Sequence, residues 1–350
     1  MSDKTKALID KLALTYSLSF AEWTAVIKGF SPDTAGYAAR IAAAERERIY
    51  GKDVYVRGLI EISNYCKNDC FYCGIRRGNK KCERYRLTES EILSCCKEGY
   101  ALGFRTFVLQ GGEDPFFSDD VLCRVISEIK RLYGDCAVTL SMGERSFESY
   151  RRLFAAGADR YLLRHETANK EHYGLLHPYN MSFDGRIKCL GYIREAGFQV
   201  GCGMMVGSPF QTAENLAEDL KFIEKFSPDM CGIGPFIPHA DTPFAEFPAG
   251  SAELTCYLLS LIRILKPNIL LPATTALATV DATGREKGLL AGANVVMPNL
   301  SPVGVRKKYS LYDNKVCTGE EAAECVRCLS RRVESTGFRI AESRGDIKKI

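Results

Sequence analysis

From residue 53 onward the chain alternates short apolar runs with longer stretches of helical periodicity, and it does so eight times. The runs are VYVRGLIEI (54–62), FRTFVLQ (104–110), CAVTLSM (136–142), ADRYLLR (158–164), QVGCGMMV (199–206), MCGIGPFI (230–237), NILLPATT (268–275) and ANVVMPN (293–299). Runs of this length and residue type read as strands, and the stretches between them are long enough for helices. Helices are expected to start near Thr88, Ser118, Ser146, Ser182, Thr212 and Ser251, where a hydroxyl can accept from the orphan N–H groups of a first turn. Thr88 has Glu91 three residues on, as a capping box requires, whereas Thr212 has Asn215 there and is read without one. Glycine ends several helices just before a strand, as in ALGFRTF, AAGADRY, EAGFQV and LAGANVV, and suits the left-handed cap. Eight strands in βα order predict an α/β protein, a complete (β/α)8 TIM-type barrel rather than a doubly wound sheet. The expected division is an N-terminal helical extension at 1–50, the barrel at 51–310, and a barrel-closing C-terminal segment at 311–350.

A chain of 350 residues can bury one barrel core of this kind. Its formal charge of +4 is too small to imply a nucleic-acid partner without a local patch. No run approaches the roughly 18 apolar residues of a spanning helix, and MSDKTKALIDKLALTYS lacks the apolar centre of a signal peptide. A soluble, cytoplasmic protein without a membrane partner is the expectation. Fifteen cysteines in a reducing compartment do not read as a disulfide framework, so several are expected to be buried thiols.

Three of them stand apart. Cys66, Cys70 and Cys73, in CKNDCFYC, follow the first strand directly and so fall where barrel active sites are built. Three thiolates on one short loop offer soft donors to an iron–sulfur cluster or to zinc. A structural zinc site would take Cys82 as fourth ligand, and three unconnected buried thiols are the bland reading. Other unusual residues also sit at strand ends. Gly112 and Glu113 of QGGEDP combine close backbone approach with a carboxylate suited to an ammonium group, or form a plain turn with a solvated acid. Ser141 closes the third strand. Arg160 and Arg164 bracket the fourth, and an arginine pointing into a barrel must be paired or hold an anion. Met204 and Met205 either line a pocket or pack in the core. Thr274 and Thr275 offer two hydroxyls at the seventh strand's mouth, and Arg306 or Tyr309 can cap the cavity.

The CxxxCxxC spacing, with Tyr72 before the last cysteine, resembles that of the radical S-adenosylmethionine (radical SAM) enzymes. The likeness extends from about Val54 to the C-terminus through CGIRRGNKKCERYR, LQGGEDPFF, DRYLLRHETAN, GIGPFIPHADTPF, LPATTALATV and GANVVMPN. Together these segments resemble the [FeFe] hydrogenase maturase family HydE, whose relatives include biotin synthase and methylornithine synthase. The resemblance implies a [4Fe-4S] cluster on Cys66, Cys70 and Cys73 with one open iron, and SAM cleavage to methionine and a 5′-deoxyadenosyl radical. It assigns Gly112 and Glu113 to the methionine amine, Glu166 to the ribose or amine side and Arg186 to the carboxylate. Without it, Arg186 would be read as an ordinary surface helix residue. Ser141, Arg164, Met204, Met205 and the backbone at Ile237 complete the expected SAM pocket. Arg160, Thr274, Thr275, Arg306 and Tyr309 are expected on the substrate side. Val305 stands where the family commonly has tyrosine, which weakens the assignment of the last two.

Cys317, Cys325 and Cys328 form a second group in CTGEEAAECVRC, a place where the family often carries a peripheral [2Fe-2S] cluster and methylornithine synthase does not. Zinc or plain thiols are the alternatives there. RRGNKKCERYR (76–86) is strongly basic, but no RNA-binding module accompanies it. A solvated loop or a surface for an acidic maturation partner fits it better. The implied function is oxygen-sensitive assembly of the H-cluster diiron site, acting on sulfur of an iron–carbonyl–cyanide–cysteine precursor. Its implied partners are a ferredoxin or flavodoxin reductant and other maturation proteins. An amino-acid mutase such as methylornithine synthase is the alternative enzyme, and a zinc-stabilised binding protein the alternative outside enzymes.

Overall fold

The computed structural model describes residues 2–316 and 326–349. Its strands are β1 (Asp53–Val56), β2 (Gly58–Ser63), β3 (Thr106–Gly111), β4 (Ala137–Ser141), β5 (Arg160–Leu162), β6 (Gln199–Cys202), β7 (Met205–Val206), β8 (Met230–Cys231), β9 (Gly234–Pro235), β10 (Val295–Val296) and β11 (Arg339–Ala341). Six of them form a parallel sheet in the order β2-β3-β4-β5-β6-β8, so strands consecutive along its path are neighbours. Beyond β8, pairing continues through single parallel bridges: Met230 to Leu270, Pro272 to Val295, and Asn299 to Leu59 of β2.

Three of the predicted strands are each broken in two. The first breaks at Arg57, the fifth at Gly203 and the sixth near Gly232 and Ile233. At the second break the chains touch: a Cβ on Gly203 would lie 2.0 Å from the Gly232 carbonyl oxygen, which only glycine tolerates. The seventh run makes no regular strand among the described residues and the eighth keeps only β10. Pro272 and Pro298 remove ladder donors at those two places. One strand has no counterpart in the predicted pattern. β11 pairs in parallel with β1, Asp53 opposite Arg339.

The six hydroxyl residues read as helix caps all serve as N-caps, each accepting from a first-turn N–H. Thr212 corrects its reading: Asn215 returns a side-chain bond to the cap N–H, so a capping box is present after all. Gly103, Gly157, Gly197 and Gly292 take positive φ between helix and strand.

Helices Ser2–Thr15, Phe20–Lys28 and Pro32–Tyr50 precede the sheet. The third packs along Ala252–Leu265, a helix apolar nearly all round and buried to match, because it has the sheet on one side and this helix on the other. The second lies on Ala213–Phe226, where fully buried Trp23 donates to Glu224 at 3.3 Å. No helix among the described residues is long and apolar enough to cross a membrane.

The C-terminal residues fold beneath the N-terminal ends of the strands. There Arg160, wholly buried, donates to Asp346 (2.5 Å), to the carbonyl of Arg344 (2.7 Å) and to Thr106 (3.2 Å). Arg344 in turn pairs with Asp159 at 2.6 Å. Arg160 starts its strand and so faces the end opposite the cysteine loop. The expectation that a buried arginine must be paired holds, but its partners are the protein's own tail.

Candidate active site

The cysteine loop leaves β2 and turns back on itself. Phe71 N–H donates to the Leu176 carbonyl (3.0 Å) and Gly74 N–H to that of Leu311 (2.8 Å), which fastens the loop to two distant segments. Cys66, Cys70 and Cys73 are free thiols, and all three line one cavity of about 280 Å³ at the C-terminal ends of the strands. Burial pushes all three thiols up, Cys73 to about 12. They therefore keep their protons until a metal displaces them. Among the described residues no set of three His, Cys, Asp or Glu is drawn together as a single metal ion requires. Cys82, the fourth ligand of the zinc reading, borders a different cavity with His239 and Asp241.

The end of β3 closes tightly on this loop. Gly112 N–H donates to Ser63 O at 3.0 Å, and Glu113 N–H points to the Cys66 sulfur at 3.4 Å. A Cβ on Gly112 would stand 2.2 Å from the Tyr65 carbonyl oxygen and 2.8 Å from Cys66 Cβ. Gly112→Ala should therefore push the loop outward at a cost of about 1–3 kcal/mol. The expected result is severalfold less iron taken up on anaerobic reconstitution, with the far-UV circular dichroism of the apoprotein unchanged. An alanine variant that loads iron like its parent would refute this.

Charged groups are concentrated beside the thiols. Arg164 and Glu166 line the cavity and pair through Nη2 and Oε2 at 3.1 Å, while Arg164 Nε is buried without a hydrogen-bond partner. A buried donor of this kind is costly unless a ligand uses it. Glu166 also adopts φ +66°, a strained conformation for a non-glycine residue, of the kind that collects at ligand sites. Arg186 is buried one layer behind the wall, 3.0 Å from Glu144 and 3.7 Å from Glu113. Burial opposes its charge, but the two carboxylates outweigh that and hold its pKa well above the ordinary value. It is not the surface residue that its helix alone implied.

Gly112, Glu113, Ser141, Arg164, Glu166, Met205, Ile237, Thr274 and Tyr309 all border the cavity. Met204 is instead fully buried in the core, and the wall takes Thr274 and Ala276 but not Thr275. Arg306 is buried and donates to Ser301 O at 2.7 Å, away from the wall. Cys317 and Cys325 lie outside the described residues, and Cys328 sits on helix Val326–Glu334.

The sequence reading gave no role to Gln110 and Met181, and it set Glu144 at the mouth of the third strand without carrying it into the pocket. Gln110 and Tyr72 line the cavity. Tyr72 was noted only as part of the cysteine motif. His177 Nδ1 faces the Tyr173 carbonyl at 2.9 Å and so must donate there, which leaves Nε2 to accept from Tyr72 OH at 3.2 Å. Burial holds that imidazole neutral, its pKa lowered to about 3. Met181 Sδ lies 3.8 Å from Cys70 Sγ, a contact that no local pattern announces.

A parallel α/β fold with three thiols facing a charged cavity at its strand ends defines a radical SAM enzyme. The sequence pattern of the radical SAM superfamily matches residues 60–223. The [FeFe] hydrogenase maturase subunit HydE of Thermotoga maritima is 43% identical over 89% of this chain and 88% of its own length. This chain belongs to the HydE family of radical SAM enzymes. The 3-methylornithine synthase of Methanosarcina barkeri is 28% identical over 97% of the chain and 95% of its own length. Among solved structures, methylornithine synthase (PylB) superimposes with a TM-score of 0.82 at 26% identity, covering 95% of this chain and 97% of its own. The hydrogenase maturase HydG shares the fold at a TM-score of 0.81 and 21% identity, over 98% of this chain and 77% of its own.

Proposed function

We propose that this protein works in [FeFe] hydrogenase maturation, cleaving SAM reductively to act on sulfur of an iron–carbonyl–cyanide–cysteine precursor of the diiron site. The observation that carries this is the meeting of three free thiols with Glu113, Arg164 and Glu166 in one cavity, in a chain 43% identical to a hydrogenase maturase. When bound on Cys66, Cys70 and Cys73, an iron–sulfur cluster supplies the electron for SAM cleavage. The chain itself binds, orients and excludes water. Glu113 takes the ammonium of SAM, with Arg186 behind it balancing charge on the carboxylate side. Arg164 and the Glu166 carboxylate hold the ribose side, with Ser141, Met205 and the Ile237 backbone around the adenosyl group. Thr274 and Tyr309 face the precursor.

We read the single bridges after β8 as completing a (β/α)8 barrel, with 1–50 as an added helical layer and 311–350 as a closing segment. Cys317, Cys325 and Cys328 are proposed as a peripheral [2Fe-2S] site. A ferredoxin- or flavodoxin-type reductant and other maturation proteins are the proposed partners, in the cytoplasm.

The test is anaerobic iron–sulfur reconstitution followed by EPR with and without SAM. A cluster signal that changes on SAM addition is expected, and an intact cluster indifferent to SAM would defeat the reading. A maturation assay with the partner proteins then tests the role. The likeness to methylornithine synthase favours one competitor. Lysine rearrangement with no effect on hydrogenase activation would put that reading in its place.

A further inference from the structure

Three of the six cations in the basic stretch after the cysteine loop are paired with carboxylates. Arg76 pairs with Asp69 (2.8 Å), Lys81 with Asp241 (2.8 Å) and Arg86 with Asp114 (2.7 Å). Arg84 differs from these three. Its Nη1 donates to the carbonyls of Asn64 and Ile75 (2.8 Å to the latter), and its Nη2 to those of Arg76 (2.7 Å) and Asn79 (3.1 Å). Asn64 lies two residues before Cys66 and Ile75 two residues after Cys73, so one guanidinium ties together the two ends of the loop. Asn64 locks the arrangement from the other side. Its amide donates to Glu83 O (2.8 Å) and Lys308 O (2.7 Å), and its side-chain oxygen accepts from Tyr85 N–H (2.8 Å).

Two consequences follow from the chemistry of arginine. Four acceptors spread over two nitrogens match a planar fork of fixed donors, which the single nitrogen of lysine cannot reproduce. Moreover, all four acceptors are neutral carbonyls, and among the described residues no carboxylate forms an ion pair with Arg84. Its charge is therefore left to act on the loop. A thiolate-bound cluster becomes more negative on reduction, and nearby positive charge favours that state.

We infer that Arg84 is a positioning residue of the cysteine loop, one that fastens both its ends and, through its unpaired charge, favours the reduced state of the cluster held there. The first half stands on the polypeptide alone; the second rests on the radical SAM reading.

Arg84→Lys and Arg84→Gln separate the two. In the full-length apoprotein, hydrogen–deuterium exchange of amides 65–79 should quicken by about tenfold or more in both variants, with the N-terminal helices unchanged. Unaltered exchange in Arg84→Lys would overturn the fastening role. In reconstituted protein, EPR-monitored redox titration should find the ratio of reduced to oxidised clusters about tenfold lower in Arg84→Gln at the parent's midpoint, ~59 mV for one electron. Arg84→Lys, which keeps the charge, should stay close to the parent. A Gln variant with the parent's midpoint, or a Lys variant displaced as far as Gln, would overturn the charge role. Should the parent's cluster ignore SAM, the radical SAM reading fails, while the exchange experiment still judges the fastening.

Discussion

Cys73→Ser should abolish SAM cleavage, lowering its rate by more than about a thousandfold, ~4 kcal/mol of lost barrier reduction. Serine conserves size but replaces a soft thiolate with a hydroxyl that iron binds poorly and that stays protonated at neutral pH. The same loss is expected for Cys66→Ser and Cys70→Ser, since each thiol lines the same cavity. The apoprotein should keep its fold, because backbone bonds to Leu176 and Leu311 and the Arg84 guanidinium hold the loop without involving sulfur. Cys82→Ser is the control. Its thiol borders another cavity and its removal should leave cleavage intact. Iron content, the visible chromophore and SAM cleavage under dithionite measure all four variants. A Cys73→Ser protein with full iron and activity would sink the assignment, and a dead Cys82→Ser would reopen the zinc reading.

Lys315→Ala should destabilise the folded protein by about 3–5 kcal/mol, as loss of one member of a buried ion pair does. Glu61 sits on β2 with its carboxylate almost wholly buried, and Lys315 Nζ reaches it at 2.5 Å while also donating to Tyr309 O at 2.8 Å. Asn299 gives the other oxygen a bond of 2.9 Å. Burial already raises the Glu61 pKa above its ordinary value despite these partners. Without Lys315 the rise should grow, and that sets the sign of the pH effect. A group whose folded pKa is raised contributes stability below its unfolded pKa and loses it as pH rises through the folded pKa. The deficit of Lys315→Ala should thus be largest at neutral pH and shrink toward pH ~5. Thermal unfolding at both pH values measures it, and adding Glu61→Gln should recover part of the loss. An equal deficit at both pH values, with no recovery, would contradict the account. Because Lys315 also anchors Tyr309 on the cavity wall, the variant should lose some order at the mouth of the site.

Several errors of the sequence reading share one cause. Met204 and Met205 were assigned to the pocket together, as were Thr274 and Thr275. Thr275 opens the helix Thr275–Val280 and leaves the wall to Thr274, its N-cap, while Met204 and Met205 are neighbours in extended chain that point to opposite sides, so that only one of them lines the cavity. Which one it is depends on strand register, and that is set by partners far along the chain. Arg160 and Arg164 show the same limit along a strand instead of across it. Four positions of chain separate an arginine that meets SAM's expected site from one held by Asp346 and Arg344. Arg186 erred in the other direction. Its own helix carries no mark of burial, and only Glu113 and Glu144 from two other strand ends explain it.

What the sequence determined by itself was local or repeated: six hydroxyl caps, glycines at positive φ, the order of strands and helices, and three cysteines on the loop after the first strand. Those features follow from the conformational preferences of a few adjacent residues, and they sufficed to name the α/β class and to single out the cysteine loop. Tertiary structure alone decided what surrounds that loop. It turned Arg84 from one charge in a basic strip into the tie between the loop's two ends, laid the C-terminal residues beneath Arg160, and brought Lys315 onto Glu61. Each of these joins segments whose meeting depends on the packing of the whole sheet, and a buried charge can be placed only when its distant partner is known.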